Sequence, residues 1–237
     1  MVPLKTMSPK RHGKRPHRAK KGRRPRCLVA DHDCLFRALI IAFLRDAKGG
    51  DLQVRTADDP NAMIQSCWKL KPNLLVLALS FLNSCSFESI ERLRKATPDT
   101  RILVYSAGAV DPAVIYALRA GVDGFVDRVT PKTFLKAIDL LMEGEYFYGP
   151  QAARLLREIA QGKHAGATAL SQRECEILSL IAKGKTTKEI ADILELSPAT
   201  VGTHRRNEMS KVGAHNTAEL IRFGYEHGLL PMIKTID

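Results

Sequence analysis

Leu74–Leu79 reads LLVLAL, an unbroken apolar run. Six such residues without alternation describe a strand covered on both faces, as in the interior of a parallel sheet. Outward from this run the same rhythm repeats. Toward the N-terminus, Cys27–Asp31 is a short apolar run closed by an acid, Leu35–Leu44 reads as a buried helix, Leu52–Ala57 as a strand and Asp59–Leu70 as a helix. Toward the C-terminus, Phe87–Lys95 is helical, Arg101–Ser106 (RILVYS) strand-like, and Pro112–Ala120 a helix stopped by Gly121. Gly124–Asp127 is a short strand, and Thr130–Met142 a helix with proline in its first turn. Five strands alternating with five helices predict an α/β doubly wound, five-stranded parallel sheet. The functional crevice of such a sheet lies beyond the carboxyl ends of its strands. Those ends gather Asp31-His32-Asp33, Ala78, Ser106 and Asp127-Arg128.

Beyond residue 145 the pattern changes. Gly149-Pro150 breaks the chain, Gln151–Ala160 fits a short helix, and QGKHAGAT (161–168) reads as a flexible joint. Four helices follow. Ser171-x-x-Glu174 is a capping box opening Arg173–Ala182, and Thr186-x-x-Glu189 is a second, opening Lys188–Leu194. Ser197-Pro198 opens a helix that runs to Val212 and ends at Gly213, and Thr217 opens the last, through Glu226. Only Glu195-Leu196 separates the two central helices, which is helix-turn-helix spacing. The expected division is a basic tail over 1–26, a sheet domain over 27–145, a linker over 146–168 and an all-α four-helix domain over 169–230.

Apolar residues are 45% of the 237 and charged residues 26%, enough for packed cores. No run approaches the roughly 20 apolar residues of a membrane span, and no apolar signal region follows the basic start. The net charge of +12 belongs to one place. Residues 1–26 hold 11 Lys/Arg and no acid, whereas the rest holds 26 against 25. So basic and apolar-poor a segment cannot offset its ordering entropy and is expected to be disordered. It reads either as a non-specific contact to nucleic acid phosphates, or as a solvated tail or a start assigned upstream of Met7. The five cysteines are odd in number, without Cys-x-x-Cys, and sit among apolar residues. They read as buried side chains in a reducing cytoplasm, without metal.

The segment LSQRECEILSLIAKGKTTKEIADILELSPATVGTHRRNEMSKVG (170–213) resembles the helix-turn-helix domain of LuxR/NarL-type regulators. The sheet domain resembles a response-regulator receiver through LVADHDCLFRALI (28–40), RILVYSA (101–107) and ALRAGVDGFVDR (117–128). The resemblance implies a transcription regulator, not an enzyme, acting on double-stranded DNA as a homodimer. It also exposes departures. The family's two magnesium-holding acids fall at Asp31 and His32, and its phosphorylated aspartate at Ala78, whose methyl is no nucleophile. Asp33 could stand in as acceptor, but its place at a helix start suits an N-cap. The family's switch hydroxyl falls at Ser106, its aromatic switch at Phe125 and its pocket lysine at Arg128. A direct Asp31–Arg128 pair would balance the pocket without a cation. The reading is a pseudo-receiver with no magnesium, no cofactor and no phosphorylation, open to a small ligand or a partner regulator. The alternative is an interaction module that docks on another regulator or kinase and binds DNA only as a heterodimer or not at all.

In the second domain, Lys188 is placed to reach a phosphate, and residues 199, 202, 203, 206 and 210 share the face that enters the major groove. By resemblance the base-reading positions are Gly202, Thr203 and Arg206, with Thr200 and Lys211 on phosphates and Arg205 beside them. Arg206 can fork to guanine and Thr203 can touch a thymine methyl. Glu208 stands near the buried stripe of Val201 and Val212 where the family carries Ile or Val. It must reach the domain edge, pair with a basic neighbour, or leave the domain marginally stable. Leu220, Ile221, Gly224 and Tyr225 are core, with a share left for pairing two domains.

Overall fold

The computed structural model describes residues 24–48, 52–85, 87–106 and 111–230. Most of the basic tail therefore lies outside the described residues. The strands are β1 (Arg26–Ala30), β2 (Gln53–Ala57), β3 (Leu74–Ala78), β4 (Arg101–Tyr105), β5 (Gly124–Val126) and β6 (Phe147–Tyr148). They form one wholly parallel sheet in the order β2-β1-β3-β4-β5-β6. The chain thus begins at an inner strand, steps to one edge and returns across the sheet, so the crevice opens at the carboxyl ends of β1 and β3. Every residue of β3 is buried.

The sheet has six strands where five were expected. The sixth, β6, is two residues long and pairs with β5 through Gly124↔Phe147 and Phe125↔Tyr148. The helices of this part are α1 (Cys34–Ala47), α2 (Pro60–Leu70), α3 (Leu79–Ser84), α4 (Phe87–Ala96), α5 (Asp111–Arg119), α6 (Pro131–Met142) and α7 (Pro150–Ala160). The short α3 begins where LLVLAL leaves the sheet. Local chemistry sets the helix starts. Asp59 accepts from the amides of Asn61 and Ala62, Thr130 forms a capping box with Thr133, and prolines occupy the first turns of α2, α6 and α7. Four cysteines are buried as expected, but Cys34 is exposed, because α1 turns its first residue to solvent.

The expected linker is only partly a connector. Ala152, Leu155 and Ile159 of α7 are buried in the same core as the sheet. That helix is anchored by Asp127, whose Oδ2 accepts from the Gln151 amide at 2.7 Å. Gly149 makes this approach possible, since a Cβ there would collide with the same oxygen. A single 3-10 turn (Ala165–Thr168) then leads to α8 (Gln172–Ala182), α9 (Thr187–Leu194), α10 (Pro198–Val212) and α11 (Thr217–Glu226). These four enclose a separate core of Leu170, Ile177, Leu178, Ile190, Val201, Leu220, Leu229 and Leu230 among others. Between α9 and α10, Glu195 takes a left-handed conformation (φ 53°, ψ 46°), which makes the turn short. That backbone costs a residue other than glycine about 1 kcal/mol. Among the described residues, no helix is long and apolar enough to cross a membrane.

Candidate functional site

Two places concentrate functional side chains. The first is the crevice at the carboxyl end of the sheet. Asp31 follows β1 directly and is 5% exposed. Its Oδ1 accepts from the Asp33 amide at 3.0 Å, and its backbone oxygen accepts from the Arg37 guanidinium. Its Oδ2 accepts from the hydroxyl of Tyr105 at the end of β4. The register explains this last bond. Ala78 pairs with Tyr105, and the β1–β3 register continued by one residue sets Asp31 beside Ala78. Facing residues of neighbouring strands project to one side of a sheet. Asp31, Ala78 and Tyr105 therefore form a row, and the tyrosine reaches over the Ala78 methyl to the carboxylate. Burial pushes the Tyr105 hydroxyl above its ordinary pKa, and the bond to Asp31 pushes it further, so it stays a neutral donor. Its ring meets Phe134 edge-on at 6.1 Å.

The other crevice residues lie around this row. The His32 side chain donates through Nδ1 to the Asp58 carbonyl at 2.9 Å, and its ring lies 4.7 Å from Phe81. Asp33 is the N-cap of α1, accepting from the amides of Leu35 and Phe36 at 2.8 and 3.1 Å. Ser106 is half-buried, its amide donating to the Val126 carbonyl. Phe125 is fully buried.

The expected Asp31–Arg128 pair is not present. Arg128 is exposed in the turn before α6, where its backbone oxygen accepts from the Thr133 hydroxyl. Tyr105 and the Asp33 amide already satisfy Asp31, and a guanidinium keeps its hydration by staying outside. Among the described residues, no three His, Cys, Asp or Glu side chains are grouped to hold a metal ion. With Ala78 contributing no oxygen and Tyr105 covering Asp31, the residues do not fit the magnesium of a working receiver.

The second place is the helix pair α9 and α10. Ser197 accepts from the Thr200 amide at 3.0 Å, fixing the start of α10. Lys185 and the Thr186 backbone hold the Glu189 carboxyl down at about 2, so the cap of α9 stays charged. Lys188, Thr200, Thr203, Arg206 and Asn207 are exposed together on this side of the domain. Thr203 donates to the Ala199 carbonyl at 3.1 Å and accepts from Arg206 at 3.2 Å. Gly202 has open space where a Cβ would stand.

Two expected contacts are engaged inside the domain. Arg205 donates to Thr187 on α9 and Thr217 on α11, at 3.0 and 3.2 Å, bracing three helices. Lys211 is paired with Glu174 at 2.6 Å, with 46% of its side chain still exposed.

Glu208 neither reaches the edge nor finds a basic partner. It is fully buried, and both carboxylate oxygens lack a hydrogen bond. Burial first, then the charge of Glu174, pushes its pKa up to about 8 against the opposing pull of Arg205 and Lys211, so it is protonated at neutral pH.

Sequence reasoning missed three residues. In the sequence Tyr105 reads only as part of a strand, and Asp127 only as a strand end. Arg119 of α5 reaches the second core, donating to the buried Cys175 thiol at 3.2 Å. At the same junction Gly228 (φ +64°) closes on α5, since a Cβ there would collide with the Pro112 carbonyl.

Comparison with known proteins agrees with this two-part build. The family described as "Response regulator receiver domain" matches residues 27–139, and "Bacterial regulatory proteins, luxR family" matches residues 168–223. A Pseudomonas aeruginosa protein, provisionally named as a transcriptional regulator, is 31% identical over 205 residues, 86% of this chain and 98% of that protein. The response regulator protein VraR of Staphylococcus aureus is 29% identical over 168 residues, 70% of this chain and 80% of VraR. In fold, the chain is similar to RcsB from Salmonella enterica serovar Typhimurium, solved bound to the promoter rprA with the phosphomimetic BeF3-. The TM-score is 0.60 at 24% identity, over 84% of this chain and 97% of that one.

Proposed function

The chain belongs to the response regulators that join a receiver domain to a luxR-family domain, and from that premise we propose a transcription regulator that binds specific double-stranded DNA as a homodimer and works without aspartate phosphorylation. One observation carries the second half of the proposal. Where the family's phosphorylated aspartate falls, this chain has Ala78, and the remaining acid, Asp31, is already bonded to Tyr105. No carboxylate is left at that position to form an acyl phosphate. Input would then reach the receiver as a partner regulator or a small ligand. The protein acts in the cytoplasm and is not an enzyme.

The DNA-binding half rests on the exposed side of α10 and on the family. Arg206 and Thr203 read bases, with Gly202 leaving one position unread, while Lys188 and Thr200 contact phosphates. Lys211 reaches a phosphate only by leaving Glu174, and Arg205 serves as a brace that holds α10 against α9. RcsB, a protein of the same fold, has been captured on a promoter. The functional units are the basic tail (1–26), the receiver (27–145), the stretch 146–168, whose β6 and α7 pack onto the receiver and whose remainder connects, and the DNA-binding domain (169–230).

Selection of bound duplexes from a random pool by the purified, unphosphorylated full chain tests this reading. One sequence should be enriched, and Arg206→Ala should weaken its binding by about 1–3 kcal/mol while relaxing the base preference beneath it. Enrichment of nothing by the chain alone would favour the interaction module. The unpaired Glu208 inside the recognition helix supports that second reading, because it weakens the element that must enter the groove.

A further inference from the structure

Helix α10 carries a titratable group that its DNA-facing side does not use. Glu208 lies on the buried side of the helix with Val201, and neither of its carboxyl oxygens has a hydrogen bond. Arg205 and Lys211 stand three residues before it and three after, so both share its side of the helix. Each is engaged elsewhere. Arg205 holds Thr187 of α9 and Thr217 of α11, and Lys211 holds Glu174 of α8. These two cations therefore tie α10 to all three of its neighbours in the domain.

The groups that face Glu208 come from several elements. From α8, the Glu174 carboxylate opposes its ionisation, and the Cys175 thiol lies within reach of its charge. From α10 itself, Arg205 and Lys211 favour ionisation. Arg119 of α5 stands behind Cys175, donating to its sulfur at 3.2 Å. Among the described residues, α9 and α11 bring no charge that shifts it.

A neutral carboxyl leaves the two ties undisturbed. A carboxylate does not, because a buried charge must be paired. The cations at hand are Arg205 and Lys211. Arg205 can turn to Glu208 only by releasing Thr187 and Thr217, and Lys211 only by releasing Glu174. We infer that Glu208 is a positioning residue that makes operator binding proton-linked: protonated, it leaves α10 braced in the pose that enters the major groove, and ionised, it draws the braces inward and frees α10 from that pose. This switch rests on the proposed DNA-binding regulator and adds a control of its recognition helix.

The direction follows from linkage. Burial and Glu174 hold the carboxyl neutral up to about pH 8. Affinity is full below that value and falls as pH rises through it. If only the protonated form docks, affinity drops about tenfold between pH 7 and 9, and binding above pH 8 takes up most of a proton per domain.

The test is operator affinity of the full chain from about pH 6.5 to 9 at fixed ionic strength, beside calorimetry above pH 8 in two buffers of different ionisation enthalpy. Wild type should show the tenfold loss and the proton uptake. Glu208→Gln and Glu208→Ile, one polar and one apolar, should both give flat profiles and no uptake. A flat wild-type profile would overturn the switch and leave the regulator standing. An equal loss in wild type and both variants would place the titration on another group and overturn the switch. Loss of helical circular dichroism in step with loss of binding would mean that the domain unfolds instead of repositioning α10, which also overturns it. A chain that binds no duplex at any pH would overturn the regulator and the switch together.

Discussion

The two domains differ in how each accommodates a buried carboxyl group. In the receiver crevice Asp31 is buried beside Ala78, and its surroundings satisfy it. Tyr105 crosses the methyl, and the hydroxyl and the Asp33 amide each take one oxygen of Asp31. In the DNA-binding domain Glu208 is fully buried, and neither carboxyl oxygen has a hydrogen bond. A carboxylate at the end of a strand can meet donors from the next strands and loops, as Asp31 meets Tyr105 and the Asp33 amide. A carboxyl in a packed helical core has no such donors within reach, so Glu208 is a protonated and destabilising group.

The largest test of this contrast is Glu208→Ile. Replacing the unpaired acid with a hydrocarbon of similar volume should stabilise the second domain by about 3 kcal/mol and raise its melting temperature. A loss of stability would mean that the carboxyl is satisfied after all. The pH dependence has a definite sign. The folded pKa, about 8, lies above the unfolded value, near 4.5. Between these values the unfolded chain has released a proton that the folded chain retains, so stability is full below pH 4.5 and falls as pH rises toward 8. Glu208→Gln should remove that slope in denaturation curves collected across this range.

A smaller effect is expected at Tyr105→Phe, which strips the hydroxyl from Asp31 and keeps the ring against Phe134. Leaving Asp31 Oδ2 unsatisfied should cost the receiver about 1–3 kcal/mol in chemical denaturation. If the cost vanishes, the crevice does not depend on this bond and the contrast between the domains weakens. The smallest effect belongs to Asp33→Ala. The lost cap on α1 should cost about 1 kcal/mol. A much larger cost would give Asp33 a role beyond capping.

Much of this contrast is legible in sequence, for reasons that differ by element. The helices of the second domain announce themselves through capping boxes at Ser171 and Thr186, whose partners are three residues away. The strand at LLVLAL is legible because burial on both faces permits no polar residue. Strand β6 is not, because two residues carry no periodicity and their place comes from β5. The short α3 is hidden because its first residue continues the apolar run of β3. Glu208 stands out in sequence as a carboxyl within the apolar stripe of α10, and Ala78 stands out only against the family the receiver resembles. The partner of Asp31 does not, since neither Tyr105 nor Arg128 is near it in sequence. Only the strand register decides that the tyrosine lies in the same row.

The most direct measurement is the intact mass of the full chain after incubation with acetyl phosphate and magnesium, with operator affinity determined before and after. The expected result is an unchanged mass and an unchanged affinity. A gain of one phosphoryl group, lost on Asp33→Asn and accompanied by tighter DNA binding, would contradict regulation without phosphorylation.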